Sequence, residues 1–453
     1  MIKAIRSLAE QMSARVAQPL HRIGDFADRN HMVLLWIIAI LYKFVLDVLY
    51  IWVASPLYAY AGLTYVPNFL KYVIAFGMYF LMFAYLPKDE RSVSAVLLHV
   101  QFAYIVAPML TFYAFANGSN KYMLMVFICI IFQIFVARRG KGKQNPVYLK
   151  GLSSYVTVGL GVLMVAALAI PVLYNGFEGL KAFDFSYIYE MRANATYPPG
   201  FSYLFSWMSK AIVPFAAVMF LDKKRYGWAG LMVFLQVLMY MECGNKYVLF
   251  IIVPVIAVYY CAKSGHLIKL MYVGLCLLFL LLIPAYLMDI KGGHRLGVLG
   301  SFYVAVRAVF HPADNKFAMY ECFSQFPKIF YSNGLIGKML GLTYLYAGSE
   351  GQIIHAYNGG QFMSASMNTG YLGESYAQMG FVGMMLMSGL FGLILRAVES
   401  YNCRKTFCIL TAVFVMFIIN LNDIPLLTTI MSSGLAVILI LAAVYLRKEK
   451  EEI

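Results

Sequence analysis

Apolar runs long enough to form membrane-crossing helices recur along nearly the whole chain, separated by short polar connections. A helix needs about 20 apolar residues to cross the hydrocarbon core. A lipid-facing backbone must satisfy its own hydrogen bonds, so the pattern predicts helices. Twelve spans are read, at 32–54, 67–86, 93–115, 122–137, 152–174, 207–221, 228–243, 246–262, 270–288, 371–395, 406–422 and 427–446. They predict one all-α, polytopic membrane domain over 32–446. Before it, Ile5, Leu8, Met12 and Val16 recur at helical spacing, with Lys3, Arg6 and Arg15 on other faces. That pattern predicts that residues 1–31 form an amphipathic segment on the cytoplasmic membrane surface, with a plain solvated leader as the alternative. No removable signal peptide is expected, because no short apolar stretch there ends in a cleavage site.

Composition sharpens this picture. The chain is 62% hydrophobic and 13% charged, far from the balance of soluble domains. Its formal net charge of +15 does not read as a nucleic-acid footprint, because the basic residues sit between spans, where they set topology. Connections two, four, six, eight and ten read "PKDERS", "ARRGKGKQNPVYLKG", "DKKRYG", "CAKSGHLIK" and "RAVESYNCRK", and the tail at 447–453 is "RKEKEEI". The positive-inside rule then puts both termini in the cytoplasm. None of the seven cysteines forms a CxxC pair, so neither a disulfide framework nor a metal site is predicted.

Two connections on the opposite side are long, 175–206 and 289–370. Both are dense in Phe, Tyr, Met and Leu, unlike disordered segments, so two ordered periplasmic loops are expected. Connections of this length are usually functional. The second loop holds a polar cluster, "RAVFHPADNKFAMYECF" at 307–323, with Arg307, His311, Asp314, Asn315, Lys316 and Glu321 close together. Pro312 disfavours α geometry at His311, which predicts a helix–break–helix corner with a second helix starting at Asp314. An acidic first turn suits the helix dipole, and free N–H groups at such a start can receive an anion.

Arg307, Phe310, Pro312, Asp314, Asn315 and Ala318 form the string R-x-x-F-x-P-x-D-N-x-x-A. It resembles the periplasmic-loop motif of Wzy-type O-antigen polymerases, closest to the enterobacterial common antigen branch. There an Arg is followed by F-S-P and Glu-Asn, whereas here His311 replaces the Ser and Asp314 the Glu. "NGF" at 175–177, "KAIVPF" at 210–215, "GNK" at 244–246 and "NTGYLGESYAQMGFVG" at 368–383 follow in the family's order. The resemblance implies a GT-C-like, metal-independent glycosyltransferase of the bacterial inner membrane, without a cofactor. Such an enzyme transfers a glycan from undecaprenyl pyrophosphate to the non-reducing end of a lipid-linked repeat unit at the periplasmic face. Its implied partners are that lipid-linked oligosaccharide, membrane lipids, a chain-length regulator and a flippase.

The residue types agree with this chemistry. Arginine offers planar, bidentate donors to phosphate oxygens, so Arg307 is the first candidate for pyrophosphate and Arg192, on the other loop, the second. Lys291 and Arg295 are further candidates, although anchoring at the membrane interface explains them nearly as well. His311 is the preferred general base, with His294 and His355 weaker; Asp314 could be the base, orient His311, or serve only the helix start. Asn315, Asn368, Lys210 and Glu374 complete the substrate-binding set. Glu374 could instead pair with an arginine, and Lys210 could snorkel outward. Arg307 could equally pair with Asp314 or Glu321, and Arg192 with Glu190 or Asp184. Lys43 and Asp47, four residues apart in the first span, read as a structural pair. Two other functions stay open. An O-antigen ligase would share scaffold and donor, and a transporter or lipid-linked glycan flippase would place its polar residues at mid-membrane instead.

Overall fold

The computed structural model describes residues 31–139, 146–149, 151–176, 181, 183–184, 187–293 and 295–446. The amphipathic segment expected at 1–31 therefore lies outside the described residues but for its last one, and so does the tail at 447–453. The described chain is all helix, turn and loop, without strands. In chain order the helices are α1 (Met32–Ala61), α2 (Phe69–Tyr85), α3 (Val93–Phe115), α4 (Asn120–Arg138), α5 (Ser153–Asn175) and α6 (Tyr187–Asn194). They continue as α7 (Phe201–Asp222), α8 (Tyr226–Cys243), α9 (Lys246–Ala262), α10 (Leu267–Gly292), α11 (Leu296–Gln325) and α12 (Leu335–Met339). The last are α13 (Glu350–Tyr357), α14 (Gly370–Ser400), α15 (Phe407–Asn420), α16 (Leu426–Met431) and α17 (Leu435–Tyr445). Eight of the described helices are long and apolar enough to cross a membrane, and four apolar ones are shorter. The protein is thus a polytopic, helical membrane protein.

α3 is the central strut. Its apolar window is 94% buried, against 11% for α5, which lies at the edge. Around α3 pack α15, α2 and α14; α14 also packs on α4, and α10 on α1. Side-chain caps start several rods. Asn68 accepts from the N–H of Lys71 at 3.1 Å, and Ser92 from that of Ala95 at 3.3 Å. Each pairs a donor that a helix start leaves free.

Prolines inside the rods are absorbed rather than allowed to break them. The chain winds into wide, π-type turns at Tyr50–Ala54, Phe102–Val106, Met208–Ile212 and Phe302–Phe310. In each case a proline follows two residues later: Pro56, Pro108, Pro214 and Pro312. A proline ring clashes with the carbonyl four residues back and brings no N–H to it. Inserting about one residue into the turn moves that carbonyl aside.

This corrects the expected corner at His311. Helix α11 is continuous from Leu296 to Gln325, with Phe310 and His311 both in α geometry (φ −93° and −62°). Asp314 is therefore mid-helix, and no row of free N–H groups is formed there. Much of the expected loop at 289–370 is consequently helix, and α11 is among the eight long apolar ones. Its neighbours show its course. A Cβ on Gly297 would meet the carbonyl of Ala285 in α10. Further on, Phe302 packs on Tyr58, Phe310 on Tyr50, Phe317 on Phe112, and Tyr320 on Tyr122. α11 thus passes α10, α1, α3 and α4 in turn, close to one set of their ends.

The connections sort to two ends of the bundle. At one, Asn402 Nδ2 donates to the Arg91 carbonyl, Glu399 accepts from the Ser94 N–H at 2.7 Å, and the Tyr401 hydroxyl donates to the Val147 carbonyl. This end carries the basic connections. At the other, Val66 N–H donates to the Phe115 carbonyl and Gly370 N–H to the Asp423 carbonyl. A cavity opens there.

Candidate functional site

The cavity measures about 710 Å³ and is roofed by pieces distant in sequence. Its wall comes from α11 through Arg307, His311, Asp314, Asn315 and Glu321. The end of α1 adds Tyr58, Tyr60 and Thr64, the connection after α3 adds Asn117, and the segment after α13 adds Asn358, Ser366 and Asn368, with His355 from α13 itself. Three glycines let these pieces approach. Gly62 adopts φ +116°, and a Cβ there would lie 2.5 Å from Asp314 Oδ2. A Cβ on Gly118 would meet the Phe317 ring at 2.7 Å, and one on Gly360 would strike the His355 imidazole.

Several polar groups that α11 brings to the cavity wall lack partners. Arg307 is exposed and, among the described residues, forms no ion pair with Asp314 or Glu321. Asp314 and Asn315 are 8% and 1% exposed. Asp314 Oδ2, His311 Nδ1 and both polar atoms of the Asn315 amide are buried without a hydrogen bond. His311 Nδ1 stands 3.8 Å from Asp314 Oδ2, too far for a direct bond. The His311 ring is fixed edge-on to Tyr58, with ring centres 5.6 Å apart. A buried polar group left unpaired costs about 1–3 kcal/mol, so three neighbouring residues of this kind oppose stability. They read instead as a surface prepared for a polar ligand.

Five of the expected residues meet in this cavity: Arg307, His311, Asp314, Asn315 and Asn368. Asn368 is anchored by a 3.0 Å hydrogen bond from its Nδ2 to Asp423 Oδ1. His355, the weaker histidine, joins them and is held by Ser364 at 3.1 Å. Asn117 and Asn358 were missed; each begins an Asn-Gly pair in a connection at this end ("NGS", "NGG"), a legible turn signal.

The other candidates lie elsewhere. Lys291 and Arg295 are exposed where α10 turns into α11, and neither lines the cavity. The local structure there is made by Asp289, whose carboxylate accepts from the N–H groups of Gly297 and Val298. Glu374 is 5% exposed inside α14, beside Gln378 and away from the cavity. A kink at Met379–Gly380 frees the Ala377 and Gln378 carbonyls, which accept from Ile329 and Phe330. The loop so tied covers Glu374. Lys210 faces a second cavity of about 320 Å³ with Tyr197, Phe205, Ser206 and Asn245, its ammonium 5.7 Å from the Tyr247 ring centre. The helix bearing Arg192 borders that second cavity through Met191, with Ala195 just past its end, while the Arg192 side chain and His294 lie outside the described residues. Lys43 and Asp47 do pair in the core, with Thr111 donating to Asp47 at 2.7 Å. Among the described residues no three His, Cys, Asp or Glu converge as metal ligands would.

No protein-family model matches the chain, and neither a curated protein nor a solved structure is found to be similar to it. The likeness to Wzy-type polymerases therefore rests on the motif residues themselves.

Proposed function

We propose that the protein is a polysaccharide polymerase that joins lipid-linked oligosaccharide repeat units in the cavity walled by α11. The observation that carries this reading is the row of unpaired groups along one helix, a free guanidinium followed by a histidine, a carboxyl group and an amide. Arg307 binds the pyrophosphate of an undecaprenyl-linked donor through paired N–H donors. A hydroxyl of the acceptor sugar sits at the His311–Asp314 pair, within hydrogen-bond reach of one of the two. As it attacks the donor's anomeric carbon, its proton passes to His311 or Asp314, a new glycosidic bond forms, and the bond to pyrophosphate breaks. The departing lipid pyrophosphate takes the electron pair, and Arg307 balances the growing charge. Asn315, Asn368 and His355 hold sugar hydroxyls.

The same reading gives the chain twelve crossings of the bacterial inner membrane in a GT-C-like arrangement, with α11 laid across the helix ends and both termini cytoplasmic. The basic connections gathered at the end opposite the cavity support that orientation. A cavity on the outer face would meet lipid-linked sugars where they are presented.

Purified protein in liposomes, given lipid-linked repeat units, should build a ladder of longer glycans, and Arg307→Ala should abolish it without altering insertion. Transfer to a lipid A core in place of a ladder would point to a ligase. Movement of intact repeat units across the bilayer without lengthening would point to a flippase.

A further inference from the structure

The helix that presents Arg307 and His311 is kept in its unusual winding by a residue from a distant loop. In an α-helix the carbonyl of Ala308 would accept from the N–H of residue 312, but Pro312 has none. The Ala308 carbonyl instead accepts from Asn422 Nδ2, at 3.2 Å, from the connection after α15. Asn422 is 2% exposed, and its amide can face only one way. Its Oδ1 accepts from Lys316 Nζ at 2.8 Å and its backbone carbonyl from the same nitrogen at 2.7 Å, while the third ammonium hydrogen goes to the Pro312 carbonyl at 2.9 Å. An ammonium has three donors and no acceptor, so Lys316 turns the oxygen of Asn422 toward itself and the NH₂ toward Ala308. Gly370, at φ +60°, closes the cage. A Cβ there would lie 2.5 Å from the Asn422 carbonyl oxygen and 2.7 Å from Lys316 Cε. The corresponding carbonyls at the other wide turns belong to Trp52, Tyr104 and Lys210. Among the described residues none of these receives a side-chain donor.

We propose that Asn422, oriented by Lys316, is a positioning residue that holds the Phe302–Phe310 turn open and so sets where Arg307 stands relative to His311 over the cavity. A wide turn carries about one residue more than an α turn. Closing it swings Arg307 around the helix axis while His311 and Asp314, beyond the turn, stay packed. The catalytic part of this assignment rests on the polymerase reading, whereas the clamp itself does not.

Two variants and two readouts test it. Asn422→Asp keeps both oxygens for Lys316 but sets an acceptor against the Ala308 carbonyl. Pro312→Ala supplies the missing N–H, which lets the turn close and makes Asn422 redundant. In Asn422→Asp, backbone hydrogen exchange across 302–313 should quicken. Ladder synthesis should lose about a hundredfold in kcat, the scale of a misplaced reacting group, with KM within about twofold of wild type. Pro312→Ala should be at least as heat-stable as wild type and still lose about tenfold or more in kcat, the opposite of what a purely structural clamp would give. A wild-type rate in either variant overturns the assignment, and so does a loss confined to KM. If the wild type makes no ladder, the polymerase reading falls, and unchanged exchange in Asn422→Asp then overturns the clamp separately.

Discussion

The two cavities at the same end of the bundle are built differently. The larger presents its polar groups unpaired: a free Arg307, and buried atoms of His311, Asp314 and Asn315 that bond to nothing. In the smaller, Lys210 lies beside the Tyr247 ring, and Ser209 turns back onto its own helix, donating to the Phe205 carbonyl at 2.8 Å. Satisfied groups stabilise a fold, whereas orphaned ones cost it free energy and are tolerated where a ligand completes them. The contrast is why the proposed reaction is assigned to the larger cavity.

The contrast can be broken or sharpened by substitution. The largest effect belongs to Arg307. Arg307→Lys keeps the charge but loses the planar fork, and ladder synthesis should stay at least about a hundredfold below wild type, on the scale of a lost charge-stabilising donor. Recovery to near wild type would show that a point charge is enough. Next is Asn315→Leu, which removes two unpaired buried atoms at similar volume. Activity should fall about tenfold, while stability rises by about 1–3 kcal/mol, read from thermal unfolding in detergent. A fall in stability would mean that the amide is paired after all. Lys210→Met should change the rate by less than about threefold, since the ammonium bonds nothing in the larger cavity; a larger loss would join the two cavities functionally.

The smallest effect concerns Glu90, on the connection at the opposite end. Burial pushes its carboxyl up to about 7, and Lys269 opposes that push. A folded value above the unfolded one adds stability at acid pH, which is lost as pH rises through about 7. Thermal stability should therefore decline as pH rises from about 4.5 to about 7 and level off above, and Glu90→Gln should flatten that slope while leaving the rate unchanged.

How much of this was legible in the sequence depends on the range of the contacts involved. Arg307, His311, Asp314 and Asn315 share one short stretch of one helix, so their common place on one cavity wall was visible from that stretch alone. Asn368 and His355 were visible as polar residues in a long connection. The course of α11 was not. A proline disfavours continued helix at Pro312 and at Pro108 alike, yet at both the chain keeps winding through a wide turn. The spacing of a π-type turn and the proline two residues on recurs four times and could have given a uniform reading. The part of Asn422 had no local signal, because it joins positions 114 residues apart in sequence. Lys291, Arg295 and Glu374 show the converse. Their charge drew notice, but the fold spends it on an exposed turn and a covered helix flank.

The central claim is that a lipid-linked glycan occupies the cavity along α11. It is tested most directly by irradiating the protein with a repeat unit that carries a photoreactive group on its terminal sugar, then mapping the modified peptides. The account predicts label within 307–321 and 355–368, lost when unmodified repeat unit competes. Label confined to 191–210 and 242–248, around the smaller cavity, would contradict it.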